Sequence, residues 1–149
     1  MRRWKLPHRA AAQRGQALVE FSLTILVFLG LMMAVIDLGR GIYMYNGVAE
    51  AARDLARVTA VHQGTTLGNS VETAGVLAAQ KKLIPNLQNP TYACVDITDT
   101  AVPLASGICP VNAGNRVKVT ITAPYRPLTP LISLSGTWTM SSTSSTEIP

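Results

Sequence analysis

Glu20 is an acidic residue at the beginning of a long uncharged apolar run, which continues from residue 21 to residue 36. A carboxylate within a bilayer is costly, so we expect Glu20 to have a partner. A peptidase cut between Gly15 and Gln16 would create an α-amino group about one helical turn, or ~6 Å, from Glu20. The ammonium and the carboxylate could then neutralise each other, within one chain or between neighbouring helices. If such a cut occurs, this spacing would allow the pair to form and to set the stagger of neighbouring helices.

The residues before this bond form a basic leader, predicted to span residues 1–15. They contain five basic residues and no acidic ones, namely Arg2, Arg3, Lys5, Arg9 and Arg14. Since the net charge of the whole chain is +5, the remainder is neutral. Basic residues beside a first apolar segment stay in the cytoplasm, which predicts an extracytoplasmic location for the rest. No basic cluster is visible in that neutral remainder, so we do not expect nucleic-acid binding.

The apolar run predicts a transmembrane segment at residues 21–36 inside one long helix over residues 16–61. Sixteen residues at ~1.5 Å each cover most of a ~30 Å hydrocarbon core. Glycines between Gly39 and Gly47 weaken a helix, so a kink or a break is expected there. Asp37 and Arg40 are three positions apart and can form a pair on one helix face.

The two cysteines, Cys94 and Cys109, are predicted to form a disulfide bond. The predicted topology places them in a compartment where disulfides persist. Closing a loop of about 15 residues would contribute roughly 3 kcal/mol by the chain-entropy argument. The alternative is that both are unpaired small hydrophobic residues.

Residues 62–149 are predicted to form a small α+β domain. Its helix is expected from Ser70 to Ile84, with Asn69 as N-cap and Glu72 in the return position of a capping box. The residues predicted to face its core are Val71, Ala74, Leu77, Ala78 and Ile84.

Alternating apolar residues predict two strands of an antiparallel sheet. They are Ala93, Val95 and Ile97 in the first strand, and Val117, Val119 and Ile121 in the second. A third strand is predicted from about Thr137 to Ser145, anchored by Trp138 and Met140. The expected fold class is therefore α+β: a long transmembrane helix, then one helix on a three- to four-stranded sheet.

The sequence lacks the patterns of common enzymes. It contains two histidines, no Cys/His cluster with zinc spacing and no phosphate-binding glycine loop. Asp96 and Asp99 border a proline-rich loop and are expected to serve turns. We therefore expect neither catalysis nor a metal or cofactor.

The segment around Glu20 resembles the processing signal of type IV prepilins, in which glycine is followed, after four residues, by glutamate and an aromatic residue, here Phe21. Three segments resemble the TadE-like family of pseudopilins from tight-adherence (Flp) pilus systems: RGQALVEFSL, IDLGR and AARDLAR. Many members place a proline within the apolar run, where this chain has Val27. The resemblance implies cleavage by a prepilin peptidase, N-methylation at Gln16, and assembly with other pilin-like subunits in a bacterial inner membrane.

Two alternatives belong beside this interpretation. Glu20 could simply complement a helix dipole in an uncleaved single-pass envelope protein, whose outer domain binds an extracellular ligand. A conventional secretory signal with a cleavage site at Ala49–Ala51 is also conceivable, although charged residues separate that site from the apolar run.

Overall fold

One helix of 54 residues, α1 (His8–Val61), dominates the computed structural model. The structure describes residues 8–112, 114–129 and 136–149, with only the backbone described for residues 8–14. After α1 come α2 (Val71–Leu83), β1 (Thr91–Val95), β2 (Arg116–Tyr125) and β3 (Trp138–Glu147). The predicted α+β class is confirmed: a long apolar helix is followed by a short helix and an antiparallel sheet.

α1 begins earlier than predicted and has no break. It starts at His8 instead of Gln16, in keeping with the strong helix formers at residues 10–14. Residues 1–7 of the predicted leader lie outside the described residues. The helix also continues through Gly39, Gly41 and Gly47, so of the expected kink or break the structure has no break. Gly47 lies against Ile84, so its missing side chain makes room for packing.

The sheet has three strands in the order β1-β2-β3, and both pairs are antiparallel. In the register, Val119 of β2 lies opposite Tyr92 on one side and Ser144 on the other. Val117, Val119 and Ile121 are fully buried, which confirms the face predicted for this strand. The central strand therefore supplies the middle of the core.

Of the three residues predicted to lie on the buried face of β1, two are not buried. Ala93 and Ile97 are exposed, while Cys94 is buried and Tyr92 packs against the core. The strand ends at Val95, so Ile97 lies in the following turn and does not continue the alternation. Val95 is buried, as expected.

The C-terminal part of α1 covers the sheet, and α2 packs against α1. Small residues on α1 permit the close approach, because Ala52, Ala56 and Ala60 are buried together with Leu55. These residues join the buried face of β2 in one core. The N-terminal half of α1 is not covered in this way by any other described residues.

α2 differs from the prediction in its cap and its register. Ser70, and not Asn69, is the N-cap, and its hydroxyl accepts a hydrogen bond from the backbone N–H of Thr73. The predicted core positions Leu77 and Ile84 do contact the core. The other three are exposed, namely Val71, Ala74 and Ala78. The buried positions include Thr73, a polar residue that an apolar pattern does not find.

Candidate functional site

The N-terminal half of α1 exposes a continuous apolar surface. An 18-residue window of this helix has a mean hydropathy of 2.4, and none of it is buried. Phe21, Leu26 and Val35 are each about two-thirds exposed. The helix is long and apolar enough to cross a membrane. Because this surface has no protein cover within the described chain, its packing differs from that of a core helix in a soluble domain.

Gln16 and Glu20 lie one turn apart on this helix, and their side chains touch. The amide Nε2 of Gln16 donates a hydrogen bond to Oε1 of Glu20 over 3.2 Å. Phe21 is exposed beside them. The Glu20 carboxylate is therefore directed towards the turn of α1 that contains Gln16.

Gly15 is open on all sides. A Cβ at this position would meet no heavy atom within 4 Å. Glycine destabilises a helix interior by about 1 kcal/mol relative to alanine, and no packing contact in the fold requires it here. Gly30 and Gly39 are equally open, so the feature that distinguishes Gly15 is its spacing to Glu20.

Asp37 lies at the junction between the exposed and the buried halves of α1, and it holds the segment that follows β2. Its carboxylate accepts hydrogen bonds from the backbone N–H of Leu128 at 2.9 Å and of Thr129 at 2.6 Å. The Thr129 hydroxyl donates a further hydrogen bond to it. The side chain of Asp37 is only 4% exposed. We call this arrangement the Asp37 clamp.

Tyr125 and Arg40 complete the clamp. The Tyr125 hydroxyl donates to the backbone carbonyl of Asp37 at 2.8 Å. Arg40 Nη1 lies 3.5 Å from the Asp37 carboxylate, and its guanidinium carbon lies 5.7 Å from the centre of the Tyr125 ring. Burial raises the pKa of Tyr125, the neighbouring charge of Asp37 raises it further, and the charge of Arg40 lowers it in part. The clamp therefore joins α1 both to the end of β2 and to the segment that follows it.

The sequence pointed to Asp37 and Arg40 but missed the larger set of partners. The donors at Leu128 and Thr129 lie 91 and 92 positions away from Asp37 in the chain. A local pattern cannot reveal such contacts. The available signal was indirect: an acid directly after an apolar run needs partners if it is buried.

An apolar cleft of about 300 Å³ lies beside the clamp. Leu38, Gly41 and Ile42 of α1 form one wall, and Pro127, Trp138 and Met140 form the other. The cleft therefore begins where the apolar half of α1 meets the globular domain.

Cys94 and Cys109 form a disulfide bond at the other end of the domain, with Cα atoms 5.4 Å apart. The side chain of Gln63, just after α1, makes two hydrogen bonds to the Cys109 backbone, as acceptor from N at 2.6 Å and as donor to O at 3.1 Å. The loop between β1 and β2 is thereby attached to the end of α1. Among the described residues, no group of three or more His, Cys, Asp or Glu side chains could hold a metal ion.

Residues 15–57 match the family model for TadE-like protein. The resemblance predicted from RGQALVEFSL, IDLGR and AARDLAR is confirmed over this range. The match covers Gly15, Glu20, the exposed apolar surface and Asp37. Neither the curated proteins nor the solved structures contain a match to the chain. The family suggests a protein associated with tight-adherence pili, and it is not a family of enzymes.

Proposed function

We propose that the protein is a membrane-anchored, pilin-like component of a tight-adherence pilus system. The observation that carries the proposal is the TadE-like match at residues 15–57, which covers both the exposed apolar surface and the Gly15–Glu20 spacing. Residues 21–36 form the anchor. In this assignment the chain performs no catalysis.

Prepilin peptidase cuts between Gly15 and Gln16 in this proposal. Gly15 lies inside α1, so the helical turn there has to unwind into the extended backbone that a protease cleft requires. Glycine supports the proposal because it weakens a helix, and no described residue outside the local helix backbone packs at its Cβ position. The cut removes all five excess basic residues, and with them the charges that hold the N-terminus in the cytoplasm. Gln16, the new N-terminal residue, is the proposed site of N-methylation.

Glu20 then pairs with an α-amino group, its own or that of a neighbouring subunit. The hydrogen bond between the Gln16 and Glu20 side chains supports this pairing, because it directs the Glu20 carboxylate towards the turn that contains residue 16. In a bundle of helices, this pairing would fix how far one helix is displaced along the next. The proposed partners are the peptidase, other pilin-like subunits, the pilus assembly machinery and membrane lipid. The proposed location is a bacterial cytoplasmic membrane, with the globular domain on the extracytoplasmic side.

Intact-mass analysis of the membrane-extracted protein, with and without an active prepilin peptidase, tests the cleavage. We expect the mature chain to begin at Gln16 only when the peptidase is active. Gly15→Val should block the cut, whereas Gly30→Val should not, although both positions are equally open in the fold. A Met1 start in the presence of the active peptidase would instead support an uncleaved single-pass envelope protein.

The role of Glu20 requires a separate test. We expect Glu20→Ala to be cleaved normally but to be absent from the assembled pilus fraction, because the α-amino group then has no carboxylate partner. Glu50→Ala is the matched control, since Glu50 is an exposed acid on the same helix. Incorporation of both variants at the wild-type level would remove the pairing role.

A further inference from the structure

The apolar surface of α1 continues beyond residue 36. Leu38 and Ile42 are 65% and 54% exposed, and Tyr45 is exposed one turn further on. Residues 21–36 cover about 24 Å at ~1.5 Å per residue, which is less than a ~30 Å hydrocarbon core. Extending the segment to Ile42 gives about 33 Å by the same rise. The longer segment matches a bilayer without thinning it.

Two charged residues, Asp37 and Arg40, lie within this extension, and the fold reduces the cost of both. Asp37 is buried under the segment that follows β2, where its carboxylate accepts two backbone hydrogen bonds and one from the hydroxyl of Thr129. Lipid therefore does not contact an unpaired carboxylate. Arg40 is half exposed, and its long side chain can extend towards head-group phosphates while it stays close to Asp37.

The cleft between Ile42 and Trp138 continues the same apolar surface onto the globular domain. Its exposed lining is almost entirely apolar, and it opens at the level of Leu38 and Ile42. Trp138 is 47% exposed at its rim. Tryptophan and tyrosine favour the boundary between hydrocarbon and head groups, where an apolar ring and a polar group are both accommodated.

We propose that the membrane boundary next to the globular domain lies near Ile42 and Tyr45, so that the acyl chains of phospholipids fill the cleft beside Trp138. The lipid occupant follows from continuity, because Ala34, Leu38 and Ile42 of α1 line the cleft, and Leu38 and Ile42 also belong to the exposed apolar surface of the helix. The domain is then seated in the head-group region and not held above it. This inference rests on the membrane anchoring in the proposed function.

Depth-dependent fluorescence quenching tests the seating in the full-length chain. The sequence contains two tryptophans, Trp4 and Trp138, so Trp4→Phe leaves Trp138 as the single reporter. The protein is inserted into phosphatidylcholine–phosphatidylglycerol vesicles whose acyl chains carry bromine either near the head group or near the terminal methyl. We expect strong quenching of Trp138 by the bromine near the head group, and weaker quenching by the deep bromine.

Two further reporters separate this inference from the proposed anchor. Each is placed in a chain in which Trp4 and Trp138 have been changed to phenylalanine. A tryptophan introduced by Leu29→Trp, in the middle of the span, should be quenched most by the deep bromine. One introduced by Val111→Trp, in the exposed loop near the disulfide, should not be quenched. If the Leu29→Trp reporter is quenched and Trp138 is not, the protein is anchored but lipid does not fill the cleft. The cleft would then be filled by a second copy of the chain or by water. If the Leu29→Trp reporter is not quenched, the anchor itself fails.

A charge placed at the cleft gives a second measurement. Ile42→Asp should reduce the quenching of Trp138, because an unpaired carboxylate resists immersion. Val61→Asp is the control, since Val61 is similarly exposed but lies at the C-terminal end of α1, away from the cleft. Equal quenching of Trp138 in both variants would contradict the lipid-filled cleft. An intact disulfide and an unchanged circular dichroism spectrum confirm that each variant is folded.

Discussion

The buried carboxylate of Asp37 holds the segment after β2 against α1. We predict that Asp37→Ala lowers the melting temperature of the detergent-solubilised protein, because the amides of Leu128 and Thr129 lose their acceptor. Hydrogen exchange at these two amides should become faster. Glu50→Ala provides the comparison, since its ion pair with Arg53 is exposed and contributes little. Unchanged exchange at Leu128 and Thr129 would contradict the clamp.

Gly68 is required by its conformation and by its neighbour. Its φ is +83°, and a Cβ there would overlap the ring of Tyr92. We predict that Gly68→Ala destabilises the domain by at least about 1 kcal/mol, the cost of a side chain in the left-handed region before any displacement of the ring. Gly75→Ala is the matched control, because Gly75 lies in α2 with open space around it. That control should stabilise the domain by about 0.4–1 kcal/mol in urea unfolding.

The carboxylate of Asp96 holds the turn after β1 by accepting hydrogen bonds from Thr98 and Thr100. The Thr98 hydroxyl, the Thr100 backbone N–H and the Thr98 backbone N–H hold the pKa of Asp96 below its ordinary value of 3.8. Because the folded pKa is lowered, the stabilisation is complete above the ordinary value and is lost as the pH falls through the lowered one. We predict that Asp96→Asn is less stable than wild type at neutral pH, and that the difference shrinks in acid. Urea midpoints measured from about pH 5 to about pH 2 would show it. A difference independent of pH would contradict this assignment.

At the scale of elements, the alternation of apolar residues predicted the buried face of β2 correctly, because one face of this strand is packed along its whole length. β2 is the central strand, packed under α1 on one face, so its alternation was fully visible in the sequence. α2 is different, because small apolar residues lie on every side of it and its buried face includes Thr73. The hydroxyl of Thr73 meets those of Ser70 and Thr59. Polar residues that satisfy one another can replace apolar ones in a core, and that substitution hides the register.

The candidate site also has one part that the sequence predicts and another part that it does not. Gly15, Gln16 and Glu20 lie within two turns of one helix, so their spacing alone placed them together. The clamp depends on where β2 ends relative to α1, which is set by packing between distant segments. No local pattern carries that information, so the sequence does not predict the contacts of the segment after β2.

The disulfide bond and Gln63 together fix the loop between β1 and β2. Replacing both Cys94 and Cys109 by serine should destabilise the domain by roughly 3 kcal/mol, because the unfolded chain regains the entropy that the 15-residue loop had restricted. The Gln63 side chain and the Leu67–Gly107 backbone hydrogen bond hold the same loop in the folded state, and their contribution is separate from this entropy. Denaturant unfolding of the double variant measures the loss. Adding Gln63→Ala to that variant should increase the loss by about 1 kcal/mol, the typical contribution of a hydrogen bond. No further loss on that addition would show that Gln63 does not hold the loop.

At the scale of the whole molecule, the net positive charge lies at the N-terminus, apart from the sheet and α2. The five excess basic residues lie in the first fifteen positions, and the rest of the chain is neutral. We predict that replacing Arg2, Arg3, Lys5, Arg9 and Arg14 by glutamine weakens the orientation of the anchor, so that some domains stay in the cytoplasm. Those domains should contain Cys94 and Cys109 as free thiols, because the cytoplasm keeps thiols reduced.

The matched control changes an equal number of exposed basic residues within the domain. They are Arg53, Arg57, Lys81, Lys82 and Arg126. Thiol labelling of denatured protein from intact cells measures both variants, with a peptidase-deficient strain used so that the leader stays attached. If orientation depends on the position of the charges and not on their number, only the leader variant gains free thiols. Equal labelling of the two variants would mean that the leader does not set the topology. Another signal in the chain would then have to determine on which side of the membrane the domain lies.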